Sequence, residues 1–214
     1  GVVPVLGGLP AHLLVVADGM GGHAAGDVAS EIATTTISDV MSTAIEQGRT
    51  DYEAILDEAI VSANDAILEE ADDTAGQRSM GTTVVATIIE DGKAVIGNVG
   101  DSRAYTVDDE LTQITVDQSF VQELIDQGEI TPEEAKTHPQ RNVLSQALGT
   151  EETVDPDFYT QQVEEHLLMC SDGLTEEVSE KSILSTVTES EGIDTAADRL
   201  IQSANDNGGS DNIS

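Results

Sequence analysis

Apolar positions in this chain fall into short runs and longer helical stripes. Residues 12–17 (HLLVVA) form a short apolar run that stops at Asp18-Gly19, the pattern of a buried strand ending in a turn. A glycine-rich loop, GMGGHAAG, follows at 19–26. From Asp27 to about Glu46 apolar residues recur at helical spacing (Val28, Ile32, Ile37, Val40, Met41, Ile45), and Asp27 is the expected N-cap. A second stripe, Ile55, Leu56, Ile60 and Ile67, predicts a helix from about Asp51 to Glu70. The two helices are expected to cover one face of a sheet.

Strand-like segments come next, at 82–89, 93–99 and 103–107, with turn signals at Asp91-Gly92 and Gly100-Asp101. Such close spacing predicts antiparallel hairpins, not helical crossovers. Between Val116 and Gly149 the pattern becomes helical and irregular, with capping signals at Thr131-Pro132-Glu133-Glu134, and reads as a flap laid over the end of the sheet. Strands return at 158–163 and 167–170, and helices at 180–187 and 195–205. No repeat, low-complexity linker or domain boundary interrupts the chain. The expectation is therefore an α+β layered fold, a single domain over 1–214 with the flap at 116–149 as a subdomain. Alternating βαβ units, the mark of a parallel doubly wound sheet, are not seen.

At 214 residues, 38% apolar and 23% charged, the chain has material for one globular core. Its 8 Lys+Arg stand against 42 Asp+Glu, a net charge of −34. That balance argues against nucleic-acid backbones and anionic membranes as partners. The acids are scattered rather than blocked, and the only lysines are Lys93, Lys136 and Lys181. Such a surface repels itself at low salt and is relieved by screening. This points to the high-salt cytoplasm of an extreme halophile; the alternative is an ordinary acidic protein. One cysteine allows no internal disulfide, no apolar run approaches a membrane span, and the start of the chain lacks the basic head of a signal peptide. The expected location is cytoplasmic and the default state monomeric.

Four aspartates stand out by context. Asp18, Asp101 and Asp172 each follow a predicted buried strand, and Asp211 lies in the glycine-rich GGSDN. If the strands are neighbours, their ends bring several carboxylates to one rim, where a hard divalent cation would relieve their repulsion. An all-oxygen donor set without cysteine selects Mg²⁺ or Mn²⁺. Two such ions clamp a phosphoryl group and activate water, which predicts hydrolysis of a phosphate ester. The bland reading is turn chemistry: Asp-Gly is a common turn pair, and Asp101 could shape a hairpin and pair with Arg103. His23, five residues after Asp18, is placed to donate a proton or bind phosphate, or else to cap the helix that follows. His12, His138 and His166 have no comparable setting, and Cys170 reads as a small buried apolar residue. GMGGH lacks the Lys-Ser/Thr ending of a nucleotide-binding P-loop.

Six blocks together resemble the metal-dependent serine/threonine phosphatases of the protein phosphatase 2C type. They are VVADGMGGHAAG at 15–26, GTTVVATII at 81–89, GNVGDSRAY at 97–105, the flap-like stretch at 111–149, LLMCSDGLTEEV at 167–178, and GGSDNIS at 208–214. The resemblance implies a four-layer αββα sandwich of two antiparallel sheets between helix pairs, with a Mn²⁺/Mg²⁺ pair at one end. It implies that Asp18 bridges both ions, that Gly19 offers its carbonyl to the second, and that Asp172 and Asp211 hold the first. Asp101, with Asp172, matches the holder of a third, weaker ion. A hydroxide between the ions would attack phosphorus in line, and His23 matches a histidine associated with substrate phosphate and proton transfer. Phosphoprotein substrates and a partner serine/threonine kinase system are implied. A catalytically weak phosphoprotein-binding module and a small-molecule phosphoesterase are the alternatives. Two departures stand out. Residues 1–17 hold no Arg, Asp or Glu where the family has a phosphate-binding arginine and an acidic segment, and the chain stops where a final strand is expected, so the expectation is a chain trimmed at both ends. Gln118 stands where relatives often have His, and is expected to be a flap variation without catalytic meaning.

Overall fold

A computed structural model describes residues 11–73 and 80–214, apart from the side chains of His23 and Asp73. The chain opens with β1 (Ala11–Val16), β2 (Gly19–Met20), α1 (His23–Glu46) and α2 (Tyr52–Asp73). Strands β3 (Gly81–Thr82), β4 (Val84–Glu90), β5 (Lys93–Val99), β6 (Arg103–Val107) and β7 (Leu111–Gln113) follow. The second half comprises α3 (Phe120–Asp126), α4 (Pro132–Ala135), β8 (Asp157–Gln162), β9 (His166–Cys170), α5 (Asp172–Thr175), α6 (Glu180–Thr188) and α7 (Ile193–Asn207).

All strand pairs are antiparallel and fall into a four-stranded sheet, β1-β4-β5-β8, a three-stranded sheet, β7-β6-β9, and the short pair β2-β3. The β4–β5 hairpin turns at Asp91 (φ 49°) and Gly92 (φ 76°), the two positive dihedrals that match the right-handed twist of its strands. The run VVATII of β4 shows no apolar/polar alternation because both its faces are covered. Val84, Ala86 and Ile88 pack in a core with α1 and α2, whereas Val85 packs on the opposite face with Val16, Ala94, Ile96 and, from β6, Ala104. A third cluster joins Tyr105, Val107 and Cys170 to Leu174, Ile183, Leu200 and Ala204 of α5–α7.

Ile37 and Met41 of α1 and Ile55, Leu56, Ile60 and Ile67 of α2 are all fully buried, as the helical stripes predict. Each contributes about 1.5–3 kcal/mol of transfer free energy. Helix α1 starts at His23, four residues ahead of the expected Asp27 cap, and its N-cap is Gly22. Gly21 (φ 106°) and Gly22 (φ 95°) turn the loop into the helix, and Gly26, expected to end the glycine-rich loop, lies within the first turns. The expected hairpin at Gly100-Asp101 is not formed: β6 pairs with β7 and β9 instead of β5. Gly100 (φ 102°) redirects the chain from one sheet to the other, and a Cβ there would stand 2.7 Å from Thr83 Cγ2.

The 116–149 stretch holds α3 and α4. Thr131 caps α4 in a capping box with Glu134, and Ser119 caps α3. Its base is tied down beside the strand ends: Gln118 N donates to Gly100 O, and Thr82 and Leu148 exchange a pair of backbone hydrogen bonds. Among the described residues, no helix is long and apolar enough to cross a membrane.

Candidate metal centre

Asp18 leaves β1 two residues after Val16, and its main chain is fixed by a Thr-Thr pair. Its N–H donates to Thr83 Oγ1 (3.3 Å), while its carbonyl accepts from Thr83 N (2.9 Å) and Thr82 Oγ1 (2.9 Å). The Thr83 hydroxyl also meets Ser102 Oγ at 2.7 Å. One threonine therefore links the turn bearing Asp18 to the turn bearing Asp101. Gly19 is required on steric grounds: a Cβ there would lie 2.1 Å from the carbonyl oxygen of Gly26.

Asp172 is the first residue of α5, separated from the end of β9 by Ser171 alone. Ser171 does not spend its side chain on capping. Its hydroxyl instead donates to Asn212 O (3.0 Å) and accepts from Ser214 N (3.1 Å), and Ser171 N donates to Ser214 O. A Cβ on Gly173 would stand 2.3 Å from Asn212 O, so glycine lets the 211–214 segment lie against α5. This clamp brings Asp211 into electrostatic contact with Asp172 and Asp18. Asp101 follows Gly100, whose N–H is held by Gln118 Oε1 at 3.0 Å. It does not pair with Arg103. That guanidinium makes a two-pronged contact with Asp117, at 2.8 Å and 2.6 Å, and donates to Tyr105 Oη.

Asp18, Asp101 and Asp172 are half-buried and Asp211 is exposed. Burial and the charges of Asp172, Asp211 and Asp101, together with a proton shared with Asp172, push Asp18 from 3.8 up to about 7. Burial, then Asp172 and Asp117, push Asp101 up to about 7 against the opposing pull of Arg103. Asp172 is raised by burial and by Asp211, with the hydrogen bond from Asp18 opposing. Glu176, one helical turn beyond Asp172, is raised by burial and then by Asp172.

Among the described residues, no three ligating side chains close around a common point as a ready-made ion cage. The four aspartates are instead gathered, and burial with mutual repulsion favours the protonated form of Asp18, Asp101 and Asp172. Asp172 Oδ1 is buried without a hydrogen-bond partner, although a buried carboxylate oxygen normally finds a donor or a cation. An all-oxygen set, an orphaned oxygen and carboxyls that retain protons near neutrality together fit a hard divalent cation, which would replace those protons. The site's donors suit Mg²⁺ or Mn²⁺ and exclude a thiolate zinc site, since Cys170 is buried among apolar groups and its thiol is pushed up to about 12 by burial.

A model of the protein phosphatase 2C family matches residues 8–212, nearly the whole chain. The chain belongs to the protein phosphatase 2C family. Among curated relatives it is similar to the serine/threonine phosphatase stp of Listeria innocua, 42% identical over 206 residues, covering 94% of this chain and 81% of that protein. Among solved structures it is similar to the serine/threonine phosphatase Stp1 of Staphylococcus aureus, with a TM-score of 0.88 at 37% identity over 100% of this chain and 85% of the other. The catalytic domain of the serine/threonine phosphatase PstP, solved in complex with two manganese ions, superposes with a TM-score of 0.82 at 34% identity, covering 100% of this chain and 94% of that one.

In this protein phosphatase 2C member, therefore, the structure brings Asp18, Asp101, Asp172 and Asp211 within electrostatic reach of one another around Asp18. Gly19 stands beside them. His23 begins α1, next to the same loop, and its side chain lies outside the described residues, as do residues 1–10 of the stretch that lacks the expected arginine and acids. Of the other histidines, His12 is exposed, and His138 is half-buried against the ring of Phe120. Several supporting residues were not singled out from the sequence. Thr83 and Ser171 look like ordinary strand-end polar residues. Gln118, expected to be an idle flap variation, holds Gly100 and reaches Asp157 Oδ2 at 2.8 Å.

Proposed function

We propose that this serine/threonine phosphatase hydrolyses phosphoserine and phosphothreonine on proteins at the Asp18/Asp101/Asp172/Asp211 cluster. The buried, unpartnered Asp172 Oδ1 among mutually repelling carboxylates is the observation that carries the assignment of the site. Manganese is the ion of a similar structure; Mg²⁺ fits the same donors. Asp18, the Gly19 carbonyl, Asp172 and Asp211 would hold two ions, and Asp101 with Asp172 a third. When bound, the ions supply Lewis-acid charge and an activated water. The chain's own residues do the rest. Thr82 and Thr83 fix the Asp18 backbone, Ser171 and Gly173 hold the 211–214 segment beside Asp172, and Arg103–Asp117 and Gln118 anchor the base of the flap next to Asp101. His23, at the head of α1, is assigned to the substrate phosphate and to protonating the leaving oxygen.

The finer architecture follows the same logic. The three clusters described above support a four-layer αββα sandwich in a single domain, with 116–149 as the flap that shapes access. A partner serine/threonine kinase system, a cytoplasmic location, a monomeric state and a high-salt origin complete the proposal. The last rests on a net charge of −34 with three lysines. The experiment is phosphate release from a phosphothreonine peptide, with Mn²⁺ and with EDTA, for the native chain and Asp18→Asn. Mn²⁺-dependent release that falls by at least about a hundred-fold in the variant supports the assignment. Peptide binding without release in the native chain would favour a phosphoprotein-binding module.

A further inference from the structure

A groove of about 920 Å³ runs from Asp101 and Asp172 out between the flap and α6. Its charge differs from that of the rest of the molecule. Four of the eight basic residues in the chain line it, namely Arg103, Lys136, Arg141 and Lys181. Arg103 is committed to Asp117 at 2.6 Å. The other three are not so bound. Arg141 stands 3.7 Å from Glu176, and Lys136 meets Glu133 at 2.9 Å with both side chains largely exposed. Lys181 makes no ion pair or hydrogen bond among the described residues. The groove's acids are mostly engaged elsewhere: Asp101 and Asp172 belong to the metal centre, Asp117 pairs with Arg103, and Glu177 accepts from Ser210 Oγ at 2.6 Å. Glu180, in the first turn of α6, is the acid that faces Lys136 from across the groove.

We infer that this groove is a docking site for acidic side chains flanking the phosphorylated residue of a protein substrate, with Lys136 and Lys181 as its anion-binding positions and Arg141 between them and the metal centre. The inference rests on the phosphatase reading, which places the reacting phosphate at the Asp101/Asp172 end. Exposed ion pairs of the Lys136–Glu133 kind are weak and exchange readily, so a substrate carboxylate competes for the lysine at little cost. The prediction opposes what the whole-molecule field alone would give. A surface carrying −34 attracts basic peptides and repels acidic ones. A preference for acidic flanks therefore requires a local site.

The test compares kcat/KM, with Mn²⁺ at moderate salt, for phosphothreonine peptides identical except for Glu or Lys in the flanking positions. The native chain is expected to prefer the acidic peptide by about five-fold, the order expected for two partly exposed charge contacts. In Lys136→Glu/Lys181→Glu the preference should invert, and in Lys136→Gln/Lys181→Gln it should vanish. Melting curves establish that the variants are folded, and if the Glu pair is not, the Gln pair decides. Faster turnover of the basic peptide by the native chain, or a preference unchanged in the variants, overturns the proposal. Absence of turnover for every peptide would count against the phosphatase reading alone. The docking site is then read from fluorescence anisotropy of the same labelled peptides, where tighter binding of the acidic one, lost in the variants, supports it and equal binding refutes it.

Discussion

Replacing Asp101 by asparagine separates the electrostatic cost of the cluster from its geometry, because the side chain keeps its shape and loses its charge. In the folded, metal-free protein this carboxyl is pushed from 3.8 up to about 7. Folded protein therefore holds a proton that the unfolded chain releases across this interval, and stability falls as pH rises through it. The full shift corresponds to roughly 4 kcal/mol once both states are ionised. Asp101 is half-buried and lines an open groove, where solvent screening lowers that figure to about 2 kcal/mol. For a domain of this size that is roughly 4–8 °C in Tm. Thermal melts in EDTA should show Asp101→Asn and the native chain together near about pH 4, with the variant higher by that margin near about pH 8. Saturating Mn²⁺ should shrink or reverse the gap, since a cation favours the ionised carboxylate. A variant less stable than the native chain in EDTA at the higher pH would refute the claim that burial and neighbouring carboxylates disfavour the ionised form of Asp101.

Gly173→Ala should push the 211–214 segment off α5, because its Cβ would lie 2.3 Å from Asn212 O; the expected cost is about 1–3 kcal/mol in denaturant unfolding, with a clear loss of Mn²⁺ affinity by titration calorimetry. Thr83→Val removes the hydroxyl shared by Asp18 N and Ser102 and should cost about 1–3 kcal/mol in urea unfolding, with reduced phosphate release. Molar KCl should raise Tm well above its low-salt value by screening the charge of −34; a flat or falling Tm would contradict the high-salt origin.

The elements that bury one stripe or end at an unmistakable turn were legible in the sequence. The stripes of α1 and α2, the Asp91-Gly92 hairpin and the Thr131 capping box follow from periodicity, positive-φ chemistry and capping. The segregation of strands into two sheets was not. The 103–107 segment looks like the next strand of a meander, and its departure, made where Gly100 packs against Thr83, is visible only in its pairing with β7 and β9. The start of α1 was obscured because Gly26 lies inside the helix for the sake of Gly19 across from it, a tertiary demand invisible to local propensity. Asp18, Asp101, Asp172 and Asp211 were legible because they follow apolar strands or sit among glycines. The residues that hold them there, Thr83, Ser171 and Gln118, act through contacts distant in sequence and carry no local signature.

The central claim is that these four aspartates form a divalent-cation centre, and counting bound ions tests it most directly. Titration of the metal-free protein with Mn²⁺, followed by calorimetry or by the loss of the free-ion electron paramagnetic signal, should show at least two ions bound per chain. In Asp172→Asn the count and affinity should drop together, because Asp172 contributes the unpartnered buried oxygen. Binding of Mn²⁺ by the variant with the native count and affinity would contradict the account.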